Sequence, residues 1–149
     1  MRAAWVFFVP HPDLEHDAMR TLFPALTIDG TDAMTYDKHA LEVDASCNEV
    51  KLTLTHSGKL AANVMGHDWV LSTAADMAGI EADGMKAGMA AGFLKAGDDR
   101  VIAHTQVIGG GQSDTITFST AKLTKGGDDV FFCSFPGHAS MMKGTFVFG

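Results

Sequence analysis

Near its C-terminal end the chain reads Cys133-Ser134-Phe135-Pro136-Gly137-His138-Ala139-Ser140-Met141-Met142, which sets a thiol, an imidazole and a thioether in one short stretch. A soft thiolate, a borderline imidazole and a weakly basic thioether hold Cu(I) well and still accept Cu(II). A trigonal Cys and two His with a long axial Met is the donor pattern of a blue-copper site. Zinc accepts Cys and His but normally completes its tetrahedron with another Cys, a His or a carboxylate, so the Met points to copper. Taken singly, a buried Cys is an inert small hydrophobe and a Met in an apolar segment is core. Packing alone does not explain their convergence on one loop.

A trigonal site needs a second imidazole, which this loop lacks. His67 is the best candidate: it lies in Asn63-Val64-Met65-Gly66-His67-Asp68-Trp69-Val70-Leu71-Ser72, where Gly66 permits close backbone approach and a strand-like run follows. Phe131, Phe132 and Phe135 flank Cys133 and would form an apolar wall that excludes water from the site.

The elements that must position these donors read as β. Beyond Pro24, short apolar or alternating runs bounded by Gly, Asp, Asn and Ser fall at 25–29, 40–43, 49–56, 68–72, 100–107, 115–119, 130–134 and 144–148. The clearest alternation sets Val50, Leu52, Leu54 and His56 on one face against Lys51, Thr53 and Thr55 on the other. About eight short strands with turns between them predict an all-β, Greek-key β-sandwich. One segment breaks the rhythm. Residues 74–92 are rich in Ala, Met and Gly, which predicts a helical insertion capped by Ser72 or Thr73 and weakened by Gly79, Gly84 and Gly88. Met77, Met85 and Met89 are expected to pack this insertion against the sandwich.

A length of 149 residues suits one domain, expected at 25–149. A formal charge of −7 favours neither nucleic acid nor an anionic membrane as partner. No apolar run approaches the roughly 18 residues of a membrane span. Residues 1–24 form an N-terminal leader or extension by composition. Their start is like a signal peptide, but Pro10, His11, Pro12 and Asp13 interrupt the apolar stretch, so no intact export signal is read. A truncated leader, a misplaced start or an added helix remain open, with a short helix over 13–20. His11, Asp13 and His16 offer no closed ligand set.

From about Leu26 to Gly149 the order of segments, including NVMGHDWVLSTAADM, RVIAHT, FFCSFPGH and MMKGTF, resembles the azurins, bacterial blue copper proteins of the cupredoxin fold. The resemblance implies one type 1 copper. His67, Cys133 and His138 would be its equatorial ligands, Met142 a distant axial ligand and the Gly66 carbonyl a second weak axial contact. It further implies a periplasmic carrier of single electrons. A hydrophobic patch around His138 and Met65, including Ala33, Met34, Gly66, Phe135, Pro136, Ala139 and Met141, would serve brief encounters with redox proteins such as c-type cytochromes or copper reductases. By position His56 corresponds to a partly buried His near the copper, His104 to a surface residue and Trp69 to the buried core Trp.

The chain departs from that pattern twice. Asp68 stands where the azurins typically have Asn, which replaces an amide that donates and accepts by a carboxylate that, ionised, only accepts. The family disulfide from the position of Cys47 is excluded, because Pro24 stands where the other Cys would fall.

Three functions compete on these residues. An electron carrier that is not an enzyme leads. A copper storage or delivery protein would use the same ligands, with the Met-rich insertion as its support. A Cys133/His138 nucleophilic enzyme lacks an orienting carboxylate and an oxyanion hole.

Overall fold

In the computed structural model, which describes residues 24–149, the chain passes first through strands β1 (Ala25–Gly30), β2 (Ala40–Val43) and β3 (Glu49–His56). A single helical turn, α1 (Ala62–Met65), leads into β4 (Val70–Thr73) and helix α2 (Met77–Ala87), which a 3-10 turn at Met89–Ala91 follows. Then come β5 (Ala103–His104), β6 (Ser113–Ser119), β7 (Asp129–Phe132) and β8 (Lys143–Phe148). The leader, its short helix and the His11, Asp13 and His16 group lie outside the described residues.

One sheet has the order β1-β3-β6, with β1 parallel and β6 antiparallel to β3; the other has the order β2-β8-β7-β4-β5. The alternation in β3 is realised: Val50, Leu52, Leu54 and His56 are buried, and Glu49, Lys51, Thr53 and Thr55 are not. These inward residues meet Trp69, Leu71, Phe131 and Phe146 in the main core. The Trp69 indole lies 5.7 Å from the ring of Phe118 and 6.1 Å from that of Phe131. The architecture is the expected cupredoxin β-sandwich.

The second face of the larger sheet is also covered. Phe131 points into the main core, while its neighbour Phe132 packs with Val70, Ile80, Leu94 and Ala139 beneath the helical insertion. A strand buried on both faces reads as a continuous apolar run, which is how β7 looks in the sequence. The insertion forms where expected and breaks at Gly88, whose backbone stands at φ 80°. The Thr73 hydroxyl accepts the Asp76 N–H at 3.3 Å, one turn ahead of the helix proper. Two expectations fail here: Met77 packs on the outer core, but Met85 and Met89 are 57% and 46% exposed. Met89 lies past the break at Gly88, in the 3-10 turn, and Met85 sits in the last turns of the helix, where Ile80 and Gly84 are the buried residues.

The expected strand over 100–107 shrinks to Ala103–His104. At its start the Arg100 side chain and N–H bind Asp98, and Val101 closes a turn on the Asp98 carbonyl. At its end the Thr105 hydroxyl, instead of a backbone carbonyl, accepts the Trp69 N–H at 3.0 Å. The same substitution delays β4 to Val70. The turn α1 was not expected, since four residues ending at a Gly leave too short a pattern to read.

Candidate metal centre

β7 ends at Phe132, and Cys133 continues its inward parity into the main core. From there the chain makes a tight excursion. His138 N–H binds the Phe135 carbonyl at 3.0 Å, Met142 N–H binds the His138 carbonyl at 2.8 Å, and Cys133 N–H returns to the Met142 carbonyl at 3.0 Å. The loop is therefore closed on itself and delivers Cys133, His138 and Met142 to one place. His67 arrives from the other side, fixed by a reciprocal backbone pair with Ile108 at 3.0 and 2.8 Å.

One donor atom each from His67, Cys133 and His138 lie within 4.8 Å of one another, and all three residues are buried. Cys133 Sγ is 3.6 Å from His138 Nδ1 and 3.8 Å from the Gly66 carbonyl oxygen. Met142 is fully buried, and the space above Gly30 is shared by its Cε and the His67 ring. A Cβ on Gly66 would collide with the Ala62 carbonyl and the side chains of Val107 and Phe135, so only Gly brings this carbonyl to the thiol.

Hydrogen bonding fixes the tautomer of His67. Its Nε2–H donates to the Thr31 carbonyl at 2.7 Å, which leaves a lone pair on Nδ1, and that buried atom has no hydrogen-bond partner. A buried acceptor left bare is costly unless something else takes the lone pair. A carbonyl behind the far nitrogen is the usual way to orient a metal-binding imidazole. Two imidazoles, a thiol and a thioether around that bare atom fit copper.

Electrostatics agree with a site built for a cation. Burial pushes the Cys133 thiol well above its ordinary range, and the nearby Asp68 carboxylate adds to this; the backbone N–H groups of Asp68 and Phe135 oppose both. Burial, with His67 close by, holds His138 down to about 4, and burial lowers His67 as well. The imidazoles are thus neutral with lone pairs available, and a bound cation would offset the cost of the thiolate.

Asp68, which stands where the azurins typically have Asn, braces the metal loop. It is fully buried, and its two oxygens accept Ser134 N–H at 2.7 Å and Ser134 Oγ–H at 2.6 Å. An acceptor-only side chain serves because both partners donate. Burial nevertheless raises its carboxyl to about 6, against the lowering effect of Ser134. The Tyr36 hydroxyl donates to the Asp68 main-chain carbonyl.

His56 is buried, not a donor to the group, and stacks on His67 with ring centroids 4.3 Å apart. Its Nδ1 accepts Gly58 N–H at 3.0 Å, so Nε2 carries the proton given to the Met65 carbonyl at 2.8 Å. His104 is exposed and Trp69 buried, as expected. Of the patch residues, Ala33 and Met141 are exposed and Met34, Met65, Phe135 and Pro136 half-buried. Gly66 and Ala139 are buried and drop out of it, Ala139 because it packs into the outer core.

The sequence reading missed Gly30, Thr31 and Ser134. Ser134 adjoins Cys133 and was findable by adjacency. Thr31 acts through its carbonyl, 36 positions from His67, and no side-chain pattern marks that.

Comparison with known proteins agrees with this geometry. Residues 24–149 match the family model described as copper binding proteins, plastocyanin/azurin family. The chain is 58% identical over 120 residues to an azurin of Pseudomonas fluorescens biotype A, covering 80% of this chain and 94% of that protein. It is 56% identical over 121 residues to an azurin of Bordetella pertussis, covering 81% of each. An azurin of Pseudomonas denitrificans is 51% identical over 121 residues, covering 81% of this chain and 94% of that protein. The fold, the donor set and these matches agree: the chain belongs to the plastocyanin/azurin family of copper-binding proteins.

Proposed function

We propose that His67 Nδ1, Cys133 Sγ and His138 Nδ1 hold the single copper of this electron carrier, with the Met142 thioether and the Gly66 carbonyl as weaker contacts. The observation that carries this assignment is the bare, buried Nδ1 of His67 beside the thiol and the second imidazole. The protein is a blue copper electron carrier and not an enzyme. Bound copper supplies a one-electron Cu(II)/Cu(I) couple. The chain's own residues keep the site still and dry. The Thr31 carbonyl orients His67, Asp68 pins Ser134 beside Cys133, and Phe131 and Phe132 exclude water on both sides of the thiol's strand. A rigid donor set changes little between oxidation states and so adds little to the barrier.

Storage or delivery of copper is not favoured, because exchange needs accessible ligands and these are 0–3% exposed. His138 retains 3% exposure where His67 has none, so the loop imidazole is the natural exit for the electron. The apolar surface around it, with Met65, Phe135, Pro136 and the 54% exposed Met141, fits small, brief contacts with c-type cytochromes or copper reductases. Among the described residues no helix is long and apolar enough to cross a membrane. We assign the mature domain to residues 25–149, residues 1–24 to a leader or extension, and the protein to the periplasm.

Loading with Cu(II) and recording the absorption spectrum tests the site. The intact protein should be intensely blue, because the colour needs a Cu–thiolate bond in trigonal geometry. Cys133→Ser should be colourless with near-native circular dichroism, since the core is built elsewhere. Blue absorption retained in that variant overturns the assignment.

A further inference from the structure

We propose that Phe93 is a positioning residue for the metal loop: the helical insertion presents its ring against Phe135 and so clamps Phe135 onto the imidazole of His138. The inference rests on the reading of His138 as a copper donor.

Phe93 has φ 55°, in the left-handed region, and Met34 is the other described non-Gly residue with positive φ. Bulky side chains avoid this region, and such backbone persists only where its surroundings hold it. Here the holding contacts are visible. Phe93 N–H binds the Gly88 carbonyl at 3.0 Å, and Gly92 N–H binds the Met89 carbonyl at 2.9 Å. Helix α2 backs the turn at Gly84, where any Cβ would collide with the Phe93 carbonyl. The next residue, Leu94, is sunk in the outer core with Ile80 and Ala139.

The strained turn sends the ring toward the metal loop. Phe93 and Phe135 meet edge-on, with centroids 5.1 Å apart at 68°. Phe135 in turn lies over His138, with centroids 4.4 Å apart at 30°. Phe135 also holds His138 through its backbone, since its carbonyl accepts the His138 N–H at 3.0 Å. A shift of Phe135 therefore moves the imidazole by two contacts at once. One residue earlier, Ser134 Oγ lies 3.5 Å from the Gly92 carbonyl, so the turn abuts two successive residues of the loop. The insertion that covers the outer face of the sheet thus also sets the geometry and dryness of the metal loop.

The test compares Phe93→Ala with Phe93→Tyr, which keeps the ring, and Phe93→Asn, which tolerates left-handed backbone and keeps the fold should Ala fail. In metal-free protein, hydrogen exchange at the His138 and Cys133 amides should accelerate at least tenfold in the Ala and Asn variants relative to Val50 and Leu52. Tyr should restore the parent rates. In copper-loaded protein the reduction potential should fall in Ala and Asn and recover in Tyr, because water admitted at His138 favours the more highly charged oxidised state. Lower thermal stability with unchanged relative exchange and unchanged potential would show that Phe93 only anchors the insertion, and would overturn the proposal. If the parent protein is not blue, the site assignment fails, while the exchange measurement still decides whether Phe93 clamps the loop.

Discussion

Replacing Gly30 by Ala is the most direct probe of how His67 is held. Gly30 ends β1, and a Cβ built on it would sit 2.6 Å from His67 Cδ2 and 3.3 Å from Met142 Cε. Ordinary contact begins at 3.4 Å, so the imidazole must retreat by about 0.8 Å. It has nowhere easy to go, since His56 stacks on it at 4.3 Å and His138 lies at 5.3 Å. A retreat of that size, if directed away from Thr31, stretches the 2.7 Å bond from Nε2–H to the Thr31 carbonyl to as much as about 3.5 Å, past the normal range. Overpacking costs about 1–3 kcal/mol, and a buried donor left unpaired about 1–3 kcal/mol more, although partial relaxation trades one against the other. We expect about 2–3 kcal/mol lost in urea unfolding of the metal-free protein. Copper affinity should fall about 10–100-fold, the usual effect of disturbing a ligand's outer partner. Gly149→Ala, where an added Cβ meets nothing within 4 Å, is the neutral control. A Gly30→Ala protein with parental stability, copper affinity and colour would refute the cradle.

Met142→Leu should keep the copper and the colour while raising the reduction potential, because losing a weak donor disfavours Cu(II); complete loss of copper, measured by metal analysis, would make Met142 a primary ligand. Asp68→Ala leaves the Ser134 N–H, in a residue 5% exposed, without its acceptor and the hydroxyl with only the Gly92 carbonyl at 3.5 Å, and should cost about 2–4 kcal/mol in urea unfolding. Asp68→Asn should retain most of that stability, since an amide oxygen accepts the N–H and the hydroxyl can turn to accept from the amide nitrogen. Asp129, 6% exposed, has one buried carboxylate oxygen without a hydrogen-bond partner, and burial followed by the nearby Asp128 raises its carboxyl above the usual range. A raised acid destabilises the fold fully above its folded pKa; the penalty shrinks as pH falls through that value and is gone below the ordinary carboxylate pKa. Asp129→Asn should therefore raise the melting temperature most at neutral pH, with the gain shrinking toward pH 4; a gain independent of pH would exclude the carboxylate as its cause.

How much of this could be read in the sequence depended on whether the physics was local. The alternation of Val50, Leu52, Leu54 and His56 fixed which face of β3 is buried, because a period of two has one solution when only one face is dry. Cys133, His138 and Met142 lie in one short loop that its own backbone hydrogen bonds close, so their convergence was legible. His67 was legible only through its Gly66 neighbour and the resemblance of its surroundings. Strand ends were not legible where side chains intrude on the ladder, as Thr105 does at Trp69 and Asp98 at Arg100. Nor could composition tell that Met85 and Met89 face solvent while Met77 does not.

What holds the donors is less visible than the donors, and for one reason. A ligand must offer a particular side chain, but its support can come from any carbonyl, any glycine or any ring that reaches it. Thr31 supplies a carbonyl, Gly30 a missing Cβ and Phe93 a ring brought near by an unusual φ, and each belongs to an element distant in sequence from the residue it steadies. β7 unites the two kinds of information. Its Phe131 and Phe132 face opposite cores, so the thiol that follows it is dry on either side. The double burial shows in the sequence as an apolar run, yet only the helical insertion makes the outer face a core at all. The same insertion that buries Phe132 brings Phe93 to Phe135, so covering the sheet and steadying the metal loop are two results of one packing arrangement.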